Sequence, residues 1–511
     1  MNISDQLSIT AKGNPSKTAY IFQGEKTSYM ELEGAVTKFA SSLKELGYKK
    51  GDHIALVSGN SPYYVIGLYG ALRLGLTVIP INPIYTVEEM RYILKNGDVK
   101  GVITMDLFMD KFVALASDFP EIHHYIVGDT GADVSNAQEF LNDKMKSFTG
   151  LMRTAELSLE RPAIDDEDIA IILYTSGTTG KPKGAMLTHK NVYSNAKDVA
   201  DYLKYSPEDK VIATLPMFHV FCFTVALNAP LMNGGTVLIL PKFSPEDVFK
   251  VAKDEGATVF AGVPTMYNYL LQGGEAHKTD FESIRLCISG GASMPVALLK
   301  QFEQAFQVIV SEGYGLSEAS PVTCFNPLDR PRKAGSIGQN IWHVENKVVD
   351  ELGDEVPVGE VGELVVRGPN VMKGYYKLPE ETAVTLRDGW LYTGDMAKVD
   401  EEGYFYIVDR KKDMILVGGY NVYPREVEEV LYQHPNVTEV AVVGAPDPNL
   451  GEAVQAFVVV NDTITEDQLL DYCREHLAKY KLPTVIEFLD ELPKNTTGKI
   501  LRKNLRDRVT Q

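Results

Sequence analysis

Residues 174–184 read YTSGTTGKPKG, with four aliphatic hydroxyls, three glycines and two lysines in eleven positions. The run follows IAIILY (169–174), a continuous apolar stretch of buried-strand character. A strand feeding a Gly-rich loop predicts a phosphate cradle. Glycines let backbone N–H groups approach an anion, and hydroxyls and ammoniums add donors. The Walker A pattern G-x-x-x-x-G-K-[ST] does not fit. The glycine it needs ahead of Gly180 falls at Thr175, and Pro182 follows Lys181. An ordinary polar turn has the same composition, so the meaning of the loop depends on what accompanies it.

Outward from the loop, strands alternate with helices. Residues 28–47 place Leu32, Val36, Phe39, Leu43 and Leu46 at spacings of three and four and end on a glycine, as an amphipathic helix does. HIALVS (53–58), LTVIPI (76–81) and VKGVITM (99–105) read as strands, separated by helical SPYYVIGLYGALRLG (61–75) and TVEEMRYILKNG (86–97). TVLILP (236–241), ATVFAGVP (257–264) and SIRLCISGGA (283–292) continue the series. The alternation predicts an α/β fold with parallel sheets flanked by helices.

After residue 334 the texture changes. Residues 345–413 are rich in Gly, Asp and Glu with short β-like runs such as GELVVRG, predicting hairpins and a small β-subdomain. The acidic cluster 350–355 lacks calcium-loop spacing and reads as a solvated hairpin tip. From Met414 the order strand, helix, strand, strand, helix, strand predicts a small α+β domain of about a hundred residues. The joint YIVDRKKDMILVGGYNVYP (406–424) is charged, then glycine-rich. It puts the division at 409–413, giving a large domain of residues 1–409 and a small one of 410–511.

The 511 residues are 44% hydrophobic and 23% charged, ordinary for a multi-domain chain with sizeable cores. A net charge of −19 argues against a nucleic-acid partner, which demands a basic face. MNISDQLSIT lacks the basic and apolar regions of a secretory signal. Cys222, Cys287, Cys324 and Cys473 form no C-x-x-C pair and read as buried thiols of a reducing compartment, so a cytoplasmic location is expected. Residues 211–241 are the longest uncharged stretch. His219, Asn228, Pro230 and Gly234-Gly235 make it a poor membrane span, so no transmembrane segment is expected there; it reads instead as packed core or the wall of an apolar pocket.

Four further turns accompany the loop. EGYGLSEAS (312–320) has glycines on both sides of Tyr314, which let backbone approach a flat ligand, and Glu318 suits Mg²⁺, a cation that takes one or two protein carboxylates. GWLYTGD (389–395) ends on Asp395. VDRKKDMILVGGYNVYPREVE (408–428) and LPKNTTGKILRKNL (492–505) follow, the last carrying Lys499.

Together these five ordered motifs resemble the acyl-activating adenylate-forming family, which includes acyl-CoA synthetases, aryl-CoA ligases, beetle luciferases and peptide adenylation domains. The resemblance runs over roughly residues 14–503. PINPIYTVEEM (80–90), PMFHVF (216–221) and GGASMP (290–295) are most similar to bacterial medium- or long-chain fatty acyl-CoA ligases. The resemblance implies ATP, Mg²⁺ and coenzyme A as cofactors, a fatty acid as substrate, a mobile small domain, and compatibility with a homodimer.

Carried onto this sequence, it implies that Thr175, Ser176, Gly177, Thr178, Thr179, Gly180 and Lys183 wrap the β- and γ-phosphates. The turn Gly290, Gly291, Ala292 and Tyr314, between Gly313 and Gly315, hold the adenine. Ser317 touches the α-phosphate, Glu318 the magnesium, and Asp395 the ribose, with Arg410 and Ile407 beside it. Lys412 stands at the hinge and Lys499 serves adenylation. His219 gates or lines an acyl site whose wall also takes Phe221, Val225, Gly262, Val263, Gly290, Tyr314 and Gly315. Gly418 and Gly419 flank the path of coenzyme A. Lys499, Glu318, Thr175 and His219 are the catalytic candidates.

Bland readings stand beside these. A lone histidine on an apolar run is commonly core, Asp395 could cap a turn, residues 410–412 could be a solvated charge run, and Lys499 a surface lysine. The resemblance favours the functional readings.

The implied chemistry has two steps: a carboxylate attacks the α-phosphorus of ATP, then the thiol of coenzyme A attacks the acyl-AMP. Neither needs a protein nucleophile, and no Ser-His-Asp or Cys-His pattern stands out. An amino-acid activator needs a carboxylate for the substrate ammonium, and 211–241 has none. The chain ends twelve residues beyond Lys499, from which no fused carrier domain is expected. An aryl or coumarate-type ligase, and an enzyme delivering acyl groups to a separate carrier protein, are the alternatives within the chemistry. Nothing specific supports a luciferase-like oxygenase. An idle binding protein is disfavoured because Glu318, Asp395, Arg410 and Lys499 are all present.

Overall fold

A computed structural model describes residues 2–157, 159–175 and 181–509. Two large mixed sheets share one core. The first has nine strands in the order Gln339–Asn340, Val322–Phe325, Val310–Gly315, Leu286–Ser289, Val259–Gly262, Lys210–Ala213, Thr236–Ile239, Thr18–Phe22 and Glu25–Ser28. The second has eight, in the order Gly374–Tyr375, Lys183–Thr188, Ile169–Thr175, Thr77–Pro80, His53–Val57, Val99–Met105, His124–Gly128 and Met145–Ser147. Central strands run parallel, and antiparallel pairs close three of the four edges, while Met145–Ser147 ends the eight-stranded sheet in a parallel pair. The helix Tyr29–Glu45 starts on a capping box, Ser28 with Glu31. Of its predicted stripe, Leu32, Val36, Phe39 and Leu43 are fully buried, and Leu46, the C-cap, is half-buried. With the helix Pro62–Arg73 this helix joins a single core that takes residues from both sheets. The α/β expectation holds.

A third, antiparallel sheet holds Glu345–Val349, Gly362–Arg367, Trp390–Val399, Leu386–Arg387 and Phe405–Arg410, as expected of the β-subdomain. Its register sets Asp395 directly across from Arg410. One piece of this region leaves it: Gly374–Tyr375 pairs with Met186 and Ala185 on the edge of the eight-stranded sheet. The cluster 350–355 is a tight exposed turn, as expected, with the Asp350 N–H donating to the Asp354 carbonyl.

The fourth sheet is built from Ile415–Val417, Tyr420–Val422, Gly451–Val460, Val437–Asp447 and Val485–Phe488. The helices Pro424–Tyr432 and Glu466–His476 cover one face through Val427, Leu431 and Leu469. A helix Arg502–Val509, which the sequence reading did not anticipate, covers the other through Leu505. All four cysteines are buried free thiols. Among the described residues no helix is long and apolar enough to cross a membrane.

Candidate active site

The opening loop is the connection of a hairpin. Thr175 is the register partner of Lys183, so the strand Ile169–Thr175 returns at once as Lys183–Thr188. Walker A loops lead into a helix instead, which explains the mismatch of pattern. Ser176, Gly177, Thr178, Thr179 and Gly180 lie outside the described residues. Lys183 is largely buried and ion-paired to Glu381 on the helix Pro379–Thr385. Its ammonium also sits 5.4 Å from the ring centre of Tyr375. The Tyr375 hydroxyl donates to Glu318 Oε1 at 2.8 Å. Burial and that carboxylate push the phenol well above its ordinary range. Glu318 Oε2 makes no hydrogen bond among the described residues. No group of three or more His, Cys, Asp or Glu is gathered for a metal among them either. A cation bound there would lean on one carboxylate plus ligand oxygens, which suits Mg²⁺.

The nucleotide-type turns emerge side by side, because Leu286–Ser289 and Val310–Gly315 are adjacent parallel strands. Glu312 ties them together: its Oε1 accepts from the Met294 N–H at 3.0 Å. Burial raises this carboxyl to about 7. Gly291 has φ +77°, a left-handed conformation, and Ala292 beside it is half-buried. A Cβ on Gly313 would fall 2.2 Å from the Phe325 ring, and one on Gly315 2.4 Å from the Pro321 carbonyl oxygen. The pairing with Val322–Phe325, together with Pro321 just before it, therefore accounts for both glycines, whatever ligand lies beyond. The Tyr314 hydroxyl donates to Asp395 Oδ2, and Arg410 Nε stands 3.5 Å from Asp395 Oδ1. Tyr314 and Ile407 pack against the same small cluster.

The acyl candidates divide. Residues 222–228 form a π-helical turn inside the helix that starts at Val220, a local geometry that recurs at functional sites. Phe221, Val225 and Val263 are buried. A Cβ on Gly290 would touch the Phe221 ring at 3.2 Å, and one on Gly291 would touch Val263 at 3.5 Å, so these residues meet. Gly262 differs from expectation. The space over it is filled by the Phe260 ring, 2.8 Å from a Cβ there, with Tyr267 at 3.4 Å, instead of opening onto a pocket. His219 is half-buried, and its Nδ1 accepts from the Phe221 N–H at 3.3 Å. Desolvation, helped by nearby Lys499, holds its pKa down to about 4, so the imidazole is neutral at pH 7. It lines a cavity of about 110 Å³ with Asn82, Tyr174, Phe218, Ser317 and Thr496.

Lys499 reaches this place from the small domain. Its turn is knit by Asn495, whose Oδ1 accepts from the N–H groups of Thr497 and Lys499, and Gly498 takes φ +79°. The turn docks on the large domain: Asn82 Nδ2 donates to Thr496 Oγ1, and Thr265 Oγ1 to the Gly498 carbonyl, both at 3.0 Å. Farther along the same interface, Arg425 Nη1 donates to the Ile407 carbonyl at 2.7 Å. The Lys499 ammonium forms no hydrogen bond or ion pair among the described residues. Desolvation lowers its pKa to about 8; Arg410 and Arg502 push the same way, and Asp395 and Asp413 push back.

Lys412 is exposed in the turn linking Phe405–Arg410 to Ile415–Val417. Desolvation, then Arg410, lowers its pKa. Gly418 and Gly419 form the hairpin turn after Val417 with φ +56° and +86°. Nothing lies within 4 Å of a Cβ on Gly419, so the left-handed backbone alone demands a glycine there. Neither lines the His219 cavity.

Sequence reasoning missed Glu381, Tyr375, Asn82 and Thr496. Asn82 and Thr496 lie inside quoted motifs, 80–90 and 492–505, but nothing local singles them out there or marks Glu381 and Tyr375, since each acquires meaning from a partner far along the chain.

A two-sheet domain whose nucleotide-type turns receive a lysine from a small C-terminal domain defines a class of nucleotide-dependent enzymes. The chain belongs to the AMP-binding enzyme family: that family's profile matches residues 7–376, and the profile of the AMP-binding enzyme C-terminal domain matches residues 426–499. It is 41% identical to a long-chain-fatty-acid–CoA ligase of Bacillus subtilis, over 99% of this chain and 94% of that one. It is 35% identical to a feruloyl-CoA synthase of an Amycolatopsis species, over 98% and 97%. Among solved structures, ATP-bound MatB from Rhodopseudomonas palustris superposes with a TM-score of 0.91, at 34% identity and 99% coverage of both chains. The apo form of the same enzyme gives 0.81, at the same identity and coverage.

Proposed function

We propose that this chain is an AMP-forming fatty acyl-CoA ligase with its division at residues 409–413. In the first step a carboxylate oxygen of the acid attacks the α-phosphorus of ATP. The bond to the bridging oxygen breaks, and pyrophosphate leaves. In the second step the sulfur of coenzyme A attacks the acyl carbonyl, AMP leaves with its phosphate oxygen, and the thiol proton goes to solvent. The observation that carries this reading is the docking of the Lys499 turn of the small domain on the large one, through Asn82 to Thr496 and Thr265 to the Gly498 carbonyl, which brings Lys499 into the field of Asp395.

The family resemblance and each residue's surroundings support the following parts. Thr175 and Lys183 flank the loop that takes the β- and γ-phosphates. Asp395, steadied by Tyr314 and Arg410, accepts from the ribose hydroxyls. Ser317 faces the α-phosphate, and the neutral imidazole of His219 borders the acyl carboxylate. Lys499 brings positive charge to the leaving oxygen, where preorganised charge in a dry site is worth most. Glu318 would hold Mg²⁺, which when bound neutralises phosphate charge.

The higher similarity to the ATP-bound than to the apo form of MatB supports an adenylating pose. The thioester step then requires the small domain to turn about Lys412 and withdraw Lys499, a hinge motion that needs only a few residues. The name of the Bacillus relative and the absence of acidic residues in 211–241 support a fatty acid. The buried free thiols support a cytoplasmic location.

A second reading, an aryl acid, is favoured by the feruloyl-CoA synthase similarity and by a cavity of about 110 Å³, small for a long tail. Acid-dependent AMP formation with coenzyme A, measured over C2–C18 and aryl acids, decides. A maximum among aliphatic acids supports the ligase as proposed. A preference for cinnamates or benzoates transfers the assignment to the second reading, and no AMP with any acid refutes both.

A further inference from the structure

The phosphate-loop lysine is already occupied. Lys183 is paired to Glu381, and the pair is built into one rigid unit. Tyr375 hydrogen-bonds along the edge of the strand that carries Lys183, with Ala185 as its register partner. The Tyr376 N–H donates to the Gly184 carbonyl at 2.8 Å, and the Tyr375 N–H to Thr382 Oγ1 at 2.9 Å, on the same short helix as Glu381. The carboxylate therefore cannot be carried away by movement of the small domain. The pair opens by a change of side-chain conformation, for which the carboxylate has the more room because Glu381 is 40% exposed while Lys183 is 13% exposed. On its other side Lys183 faces the Tyr375 ring, whose hydroxyl is held by Glu318.

We infer that Glu381 is an affinity-setting residue for ATP, an internal carboxylate that occupies Lys183 until the terminal phosphates displace it. This rests on the reading of Lys183 as a phosphate ligand. Polyphosphate and carboxylate compete for one ammonium, so ATP and its product pyrophosphate are both held less tightly than the loop alone would hold them. Glu381 contacts Lys183 and not the reacting atoms, so it is a positioning residue.

A half-exposed ion pair contributes up to about 1 kcal/mol, which is about a fivefold change in an equilibrium constant. Glu381→Gln and Glu381→Ala should therefore lower the dissociation constant of ATP, measured by calorimetry on the whole chain without acid or coenzyme A, about two- to fivefold. The inhibition constant of pyrophosphate should fall by the same factor. Added to Lys183→Met, either change should have no effect on ATP binding. An unchanged or raised constant in both Glu381 variants, with Lys183→Met itself binding ATP more weakly, overturns the displacement idea alone. A Lys183→Met chain that binds ATP as tightly as the wild type overturns the phosphate reading of the loop and this inference together.

Discussion

Two lysines meet the phosphates in this account, and their settings are opposites. Lys183 stands on a hairpin strand inside the eight-stranded sheet, its ammonium against Glu381 and the Tyr375 ring. Lys499 stands on a turn of the small domain, with no partner of its own among the described residues and its pKa held down to about 8 by desolvation beside Arg410. A cation that belongs to a permanent binding surface can be stabilised in place and released by competition. A cation needed in only one of two steps gains nothing from a partner on the large domain, since a partner would resist its withdrawal. On the proposed reading, the desolvated setting strengthens its interaction with the charge that develops on the leaving phosphate.

The sharpest way to break the comparison is to remove the delivered cation. Lys499→Ala should slow acyl-AMP formation, followed as pyrophosphate release, by about 10²–10³-fold or more. Thioester formation from supplied acyl-AMP should stay near the wild-type rate. Parallel loss of both steps would mean that one static arrangement serves the whole reaction. Lys412→Pro acts on the delivery. Proline fixes φ near about −65° in the linking turn, and if it traps the docked pose the second step should fall by up to about 10²-fold while the first survives. Loss of the first step alone would put the pivot elsewhere.

A gentler probe uses pH. Lys499 is charged below about 8 and loses its proton above. The kcat/KM of the first step, which reports the free enzyme, should fall as pH rises through about 8, approaching tenfold per unit. Lys499→Arg, charged throughout this range, should abolish that limb even if it lowers the rate. An alkaline limb that persists in the arginine variant would assign the titration to another group.

The two regions also differ in how far the sequence discloses them. The parallel strands were legible because a strand buried on both faces is a continuous apolar run between turn residues. The strand before Lys183 is legible on that basis, but its return, KGAMLT, is not: it is short and follows a loop whose pattern points to a ligand rather than a hairpin. In 217–232 only His219, Thr224 and Asn228 interrupt an otherwise apolar run, so nothing in the pattern distinguishes a π-turn from strand or helix. The final helix, Arg502–Val509, has little apolar face. It is held by ion pairs of Arg502 to Glu428 and Arg506 to Asp413, both at distances near 2.7 Å, whose acidic partners lie 74 and 93 positions away. At the site, the motif residues Glu318, Asp395, Arg410 and Lys499 could be singled out because they sit in stretches that carry the family resemblance, although Asp395 and Arg410, expected in turns, lie on paired strands. Glu381 could not, since LPEETA reads as any helix start with acids in its first turn. Its partner is 198 residues distant and is found only through the pairing of Tyr375 with Ala185.

The central claim, that docking of the small domain serves the first step and must be undone for the second, is tested most directly by fixing the docked pose. Asn268 Nδ2 donates across the interface to the Thr438 carbonyl at 3.5 Å, outside the His219 cavity, and the four native cysteines are buried. A short bis-maleimide should therefore join Asn268→Cys to Thr438→Cys selectively. Relative to the same double variant before linking, the linked protein should still release pyrophosphate with acid and ATP but form no acyl-CoA from supplied acyl-AMP. Formation of acyl-CoA at the unlinked rate would contradict the account.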